Sequence, residues 1–283
     1  MATGSNPVFN GKNFRAQTRG GNYSQGGVAQ GAPESMSAQQ LQDMYNGPSA
    51  GPTDTGRMTF DDVIVKTLAC LGMVLVGAAI PAFIVPQFAT VLMIVGVVGG
   101  LVLGLVNAFK REPVPALILA YAGLEGLFLG ALTMFLEAQF PNIALQAIIG
   151  TLSVFGVTLL LFRSGKVRAT PKAMKFFMIA IIGYGVFSLV NMGLMIFGGV
   201  SDPWGIRGMD IPGTNIPFGV VIGLFAIGLA AFSLIIDFTS ISAGVKNGAP
   251  RRYSWTAAFG LTVTLVWLYV EILRLLAIIR GND

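Results

Sequence analysis

Seven long apolar stretches fill the chain from about residue 63 onward, roughly 63–85, 88–109, 114–136, 142–162, 173–198, 216–244 and 253–280. A helix needs about 20 apolar residues to cross a hydrocarbon core about 30 Å thick, and each stretch is long enough. The breaks between them carry Pro86, Pro113, Pro141, Pro171, Pro203, Pro212, Pro217 and Pro250, and helix ends tolerate proline. Pro81 falls inside the first stretch and predicts a kink there. Thr59-Phe-Asp-Asp62 has the spacing of a capping box, with acids suited to the positive end of a helix, and predicts where the first span begins. Glycine recurs within the spans, at Gly96, Gly99, Gly100, Gly123, Gly126, Gly130, Gly219, Gly223 and Gly228, where close helix packing is the expected use.

Residues 1 to 57 are rich in Gly, Asn, Gln, Ser and Pro, too polar to bury a core. Within them Ser37-Ala-Gln-Gln-Leu-Gln-Asp-Met-Tyr45 suits two helical turns, with Ser37 as cap and Leu41, Met44 and Tyr45 on one side. It is read either as a solvated linker or as a partner-binding segment. The expected division is a low-complexity tail, 1–57, and a seven-helix membrane domain, 58–283. No basic segment followed by an apolar core opens the sequence, so the first span is expected to act as an uncleaved anchor.

Composition narrows the chemistry. Of 283 residues 54% are hydrophobic and 11% charged, with a mean hydropathy of +0.72; soluble domains carry about a quarter charged residues. The chain has no histidine, and its one cysteine is Cys70, which leaves no His triad, no thiolate zinc cluster and no intrachain disulfide. No cofactor is expected. No nucleophile stands with a base and no glycine-rich phosphate loop leads into a lysine, so the chain is not expected to be an enzyme. The net charge of +5 belongs with membrane topology rather than nucleic acid. Basic residues cluster in the tail (Lys12, Arg15, Arg19, Arg57) and in the second (Lys110, Arg111), fourth (Arg163, Lys166, Arg168, Lys172) and sixth connections (Lys246, Arg251, Arg252). The first and third have none, and the fifth has only Arg207, against Asp202 and Asp210. That alternation predicts a cell-membrane protein with its N-terminus cytoplasmic and its C-terminus outside.

Three acids lie inside spans: Glu125, Asp237 and Glu271. A carboxylate in hydrocarbon costs several kcal/mol and normally faces a bundle interior or a wet cavity, so these are the candidate sites. Glu125 lies about 11 residues into the third span, near mid-depth, where low dielectric favours a neutral carboxyl. Asp237 lies about two turns inside the inner boundary, with the hydroxyls of Thr239 and Ser240 nearby. Glu271 and Arg274 are three apart and can meet on one helix face.

The Leu-Glu-Gly-Leu element around Glu125, the Asp at the inner end of span six, and Leu-Tyr-Val-Glu-Ile-Leu-Arg-Leu-Leu around Glu271 together resemble the Bax inhibitor-1/YccA family. The resemblance runs over about residues 60 to 280 and leaves out the tail. It implies an all-α bundle in which a central last helix is wrapped by the other six. It further implies that Asp237 and Glu271 share a proton and gate a pH-sensitive calcium leak, with Glu125 a further acid facing the interior and Ca²⁺ a transient ligand. This chain has Glu271 where the family usually has Asp, and Arg274 where a neutral polar residue is common. The register bears on the pair as well, because 34 residues separate the two acids. A turn centred near Gly248 sets Asp237 opposite about Gly260 and leaves Glu271 about 16 Å farther along; only a turn near Ser254 brings them level. The other reading is a non-catalytic accessory subunit, gripping a membrane protease or respiratory complex through residues 1–57.

Overall fold

The computed structural model describes residues 56–165, 169–200 and 202–281. The segment holding Leu41, Met44 and Tyr45 lies outside the described residues, as do Lys166 and Arg168. Seven helices are long and apolar enough to cross a membrane. They are α1 (Phe60–Ala79), α2 (Ala89–Phe109), α3 (Pro115–Gln139), α4 (Ile143–Arg163), α5 (Pro171–Ile196), α6 (Phe218–Lys246) and α7 (Ser254–Gly281). No strand occurs among the described residues, and backbone pairing outside helices is limited to two isolated bridges.

Local chemistry sets the helix ends. The Thr59 hydroxyl oxygen accepts from the Asp62 amide at 3.1 Å, as the capping spacing predicts. At Pro81 the missing amide breaks the helical ladder, and the chain widens into a π turn over Ile80–Ile84 before a short 3₁₀ turn, Pro86–Phe88, leads into α2. Between α3 and α4 the Glu137 carboxylate accepts from the amides of Asn142 (2.5 Å) and Ala144 (2.9 Å), satisfying donors at the start of α4.

The last helix is the centre of the bundle. Of the apolar 18-residue stretch of α7, 61% is buried, against 6–39% for the other spans. Helices α1, α3, α4 and α6 pack directly on it. The other two differ from the expected six-helix wrap: α2 packs on α3, and α5 packs on α6 and on the Gly205–Gly208 turn. The α3 helix stands between α2 and α7, while α5 reaches α7 through the side chain of Tyr184. Glycine makes the close approaches possible. A β-carbon at Gly126 would collide with the Val74 carbonyl of α1 and lie 2.9 Å from the Gly77 Cα; one at Gly96 would lie 2.6 Å from the Phe128 nitrogen of α3. Lipid is as apolar as the helix surfaces, so this backbone-level contact is what binds α1, α2 and α3.

The end where α1, α3, α5 and α7 begin carries Arg57, Lys110, Arg111, Lys246, Arg251 and Arg252, and is here called the basic end. There Gly56–Met58 lies along the α6–α7 turn. The Met58 amide donates to the Ala249 carbonyl at 2.7 Å and the Arg251 amide to the Gly56 carbonyl at 2.9 Å. Arg251 pairs with Asp62 at 2.8 Å, and Arg252 with Glu112 at 2.9 Å.

Gly126→Val should therefore destabilise the protein by about 1–3 kcal/mol through overpacking. Gly156→Ala, where an added β-carbon meets nothing within 4 Å, should stabilise it by about 0.5–1 kcal/mol. Denaturant unfolding in detergent micelles checks both.

Candidate functional site

The three intramembrane acids occupy three separate environments. Asp237, on α6, faces α7, where the Thr264 hydroxyl donates to its Oδ2 at 2.8 Å and in turn lies 3.4 Å from the Ser233 hydroxyl. Its Oδ1 would lie 3.7 Å from a β-carbon placed on Gly260. That position agrees with a turn centred near Gly248, which has φ +65° and ends α6 two residues after Lys246. Asp237 looks into a cleft of about 370 Å³ lined also by Ser240, Tyr253, Thr256 and Gly260, with Met58 of the terminal segment on its wall. Thr239 contributes nothing to Asp237, because its hydroxyl is bonded to the Ile235 carbonyl of its own helix at 2.7 Å. Among the described residues no Lys or Arg lies within ion-pairing distance of Asp237.

Glu271 stands seven residues beyond Thr264 on α7, about 10 Å along the axis. Its side chain is 3% exposed. Oε1 accepts from the Tyr184 hydroxyl of α5, from the Trp267 indole at 3.3 Å and from Arg274 Nη1 at 2.9 Å; Oε2 lies 3.1 Å from the same Arg274 nitrogen. The Arg207 guanidinium approaches Oε2 to 3.9 Å. Each hydrogen-bonded partner is a donor and both flanking guanidiniums are positive, an arrangement that complements a carboxylate. The two acids of the expected dyad thus have no partner in common and no bond to each other. The physical reason is the register: Asp237 is level with Gly260 and Thr264, and Glu271 is two turns away.

Glu125, expected to face the bundle interior, faces α2. A β-carbon on Gly100 would lie 3.0 Å from its Oε1, and Tyr121, one turn back on α3, is its nearest polar neighbour on that helix. The glycine face of α2 leaves room for the carboxyl in the α2–α3 contact, away from Asp237 and Glu271.

Arg207 has the largest role that the sequence reading left unassigned. It belongs to the Gly205–Gly208 turn, is 4% exposed, and reaches into the bundle from the connection between α5 and α6. Its Nη2 donates to Tyr184 (3.0 Å) and Ser188 (2.9 Å), and its guanidinium lies over the rings of Tyr184 (5.3 Å) and Phe187 (5.4 Å). The turn is shaped by Asn191, whose side chain donates to the Trp204 carbonyl at 3.1 Å and accepts from the Ile206 amide at 2.7 Å. A signal existed: Asn191 and Tyr184 are polar positions inside an apolar span, spaced seven apart on one helix face. Among the described residues no three acidic or cysteine side chains converge as a metal site.

A bundle of seven apolar helices, the last of them central, with a carboxyl-bearing cleft near one end and a buried charge cluster toward the other, defines a polytopic all-α membrane protein. A family model described as Bax inhibitor 1 like matches residues 6–281, and the chain belongs to that family. The match reaches back to residue 6, so most of the tail lies inside the family pattern, where the motifs pointed to a start near residue 60. No curated protein matches the chain.

Removing the Glu271 charge should leave two guanidiniums around a neutral amide. Glu271→Gln is expected to destabilise by about 3–5 kcal/mol, whereas Asp237→Asn, which keeps an oxygen for Thr264, should change stability by about 1 kcal/mol. Unfolding of the two variants in the same detergent separates the clamped acid from the open one.

Proposed function

We propose that the protein is a pH-sensitive cation leak of the cell membrane, carrying Ca²⁺, in which Asp237 is the proton-responsive group. The observation that carries this reading is the cleft at the basic end, which ends on a carboxyl held, among the described residues, by one hydroxyl and by no cation. A carboxylate accepts from Thr264; a protonated carboxyl has a donor of its own and can reverse that bond, changing the α6–α7 contact. Charged, Asp237 attracts a cation into the cleft, and the hydroxyls lining it are oxygen ligands of the kind Ca²⁺ takes. One carboxylate falls well short of a full coordination shell, which suits passage rather than tight binding. Glu271 serves in this scheme as an anchor for α5 and the Arg207 turn, and Glu125 as a neutral acid of the α2–α3 contact. The basic end faces the cytoplasm on this reading, with the N-terminus inside and the C-terminus outside.

The test is Ca²⁺ flux into proteoliposomes over a range of pH. Wild type should show a pH-dependent leak, and Asp237→Asn should flatten the pH profile while retaining the fold. A wild-type flux no greater than that of empty liposomes would sink the proposal.

A second reading has its own support. Gly56–Met58 is bonded to the α6–α7 turn at the wall of the Asp237 cleft, and the family match includes most of the tail. An accessory subunit that grips a larger membrane assembly through its tail would place the partner next to that cleft. Mild-detergent pull-downs of the full chain and of a chain lacking residues 1–55 test it. A stoichiometric partner lost on truncation supports docking, and two partner-free forms rule it out.

A further inference from the structure

One face of α7 gathers Thr264, Trp267, Glu271 and Arg274 into a stripe. Gly260, Thr264, Trp267, Glu271 and Arg274 are spaced 4, 3, 4 and 3 residues apart, which keeps them on a single helix face. At its basic-end half the stripe meets Asp237 and Ser233 of α6. At its other half it meets Tyr184 of α5 and Arg207 of the Gly205–Gly208 turn. The turn sits close against α6, where a β-carbon on Gly219 would lie 2.6 Å from the Arg207 carbonyl oxygen.

We propose that Arg207 closes the far end of the polar path that begins at Asp237, by docking on Glu271, and that loss of this contact admits water and cations from that end. This rests on the leak reading for what passes, though the closure itself is testable without it. Three observations set it apart from a static core ion pair. First, the charges are unmatched: two guanidiniums converge on one carboxylate, and the nearby Asp202 carboxylate is turned to the Trp204 amide at 2.7 Å and packs against Gly208. Second, Arg207 Nε is buried without a hydrogen-bond partner, so the closed arrangement leaves one donor unsatisfied. Third, the element bearing the closure is loosely held. Only 6% of the apolar stretch of α5 is buried, Asn191, Ser188 and Tyr184 fasten the turn to α5, and the bond from α5 to the central helix is made by the Tyr184 hydroxyl. The α5 helix and the turn can thus shift as one body once Glu271 lets go. While closed, the guanidinium sets a positive charge on the path, which opposes a cation from either side.

The experiment uses the full chain in proteoliposomes of known orientation, with Cys70→Ala and Ser233→Cys, so that one thiol reports on the middle of the stripe. A membrane-impermeant thiol reagent is added on the far-end side only. In the parent the thiol should be protected. In Arg207→Gln, and in Tyr184→Phe, which removes a single oxygen and spares the fold if Arg207→Gln does not fold, the labelling rate should rise about tenfold, the effect of losing one charge-assisted hydrogen bond. A labelling rate unchanged from the parent in folded Tyr184→Phe and Arg207→Gln overturns the closure. Ca²⁺ flux is read in the same vesicles: faster labelling with no flux in any variant upholds the closure and brings down the leak reading instead.

Discussion

A carboxylate cannot stand alone inside a bilayer, and much of the architecture on one side of this bundle follows from how Glu271 meets that requirement. Arg274 supplies a countercharge from the next turn of the same helix. One local partner would have sufficed for a surface acid, but at 3% exposure the second oxygen and the remaining lone pairs also need donors. Hydrogen bonds come from Tyr184 of α5 and Trp267 of α7, and Arg207 of the α5–α6 connection adds a second positive charge at 3.9 Å. Burying Arg207 in turn requires a turn that folds inward, and Asn191 holds it by bonding the backbone on both sides of Gly205. The position of α5, which has little packing of its own, is thereby set by polar chemistry more than by apolar contact.

The opposite regime holds α1, α2 and α3. Their contacts are nearly free of polar partners and rest on glycine faces that bring backbones together, Gly96 on α3 and Gly126 on α1. Van der Waals contact over such faces is short-ranged and specific, so these helices form a tight block against α7. Glu125 lies inside that block beside Tyr121, and among the described residues no Lys or Arg is within ion-pairing distance of it. Asp237 falls between the regimes. It is neither clamped by cations nor sealed by glycine packing, and it faces a cleft.

What the amino-acid order made legible was local. The Thr59 cap, the disruption at Pro81, the span limits to within a few residues and the Glu271–Arg274 pair all depend on neighbours within one helical turn. The level of Asp237 against Gly260 was also readable, because the connection from α6 to α7 is short and Gly248 marks its bend. Facing was not readable for Glu125. A helix apolar nearly all round has no preferred side, and the choice between α2 and the bundle centre was made by the glycines of another helix. Arg207 was hidden for a different reason. It lies 64 residues before Glu271 in the connection between α5 and α6, and only the folding of that connection back onto α6 makes it a bundle residue.

The separation of Asp237 from Glu271 changes what a proton could do here. In a shared dyad one proton alters both acids at once, because neither can be charged without cost to the other. In this chain the acids are two turns apart with different partners, so a proton at Asp237 acts first on Thr264. Any effect on Glu271 must then pass along α7, and α7 is the helix least free to move, being packed by four others. A rotation small enough for that packing would still be felt at Glu271, where the charge-assisted bond to Arg274 is 2.9 Å and the approach of Arg207 is 3.9 Å. The longer contact is the weaker of the two and the first to be lost. Coupling between the two sites on this reading therefore runs from a hydroxyl at one level of the central helix to an arginine at another, with α5 as the element that responds.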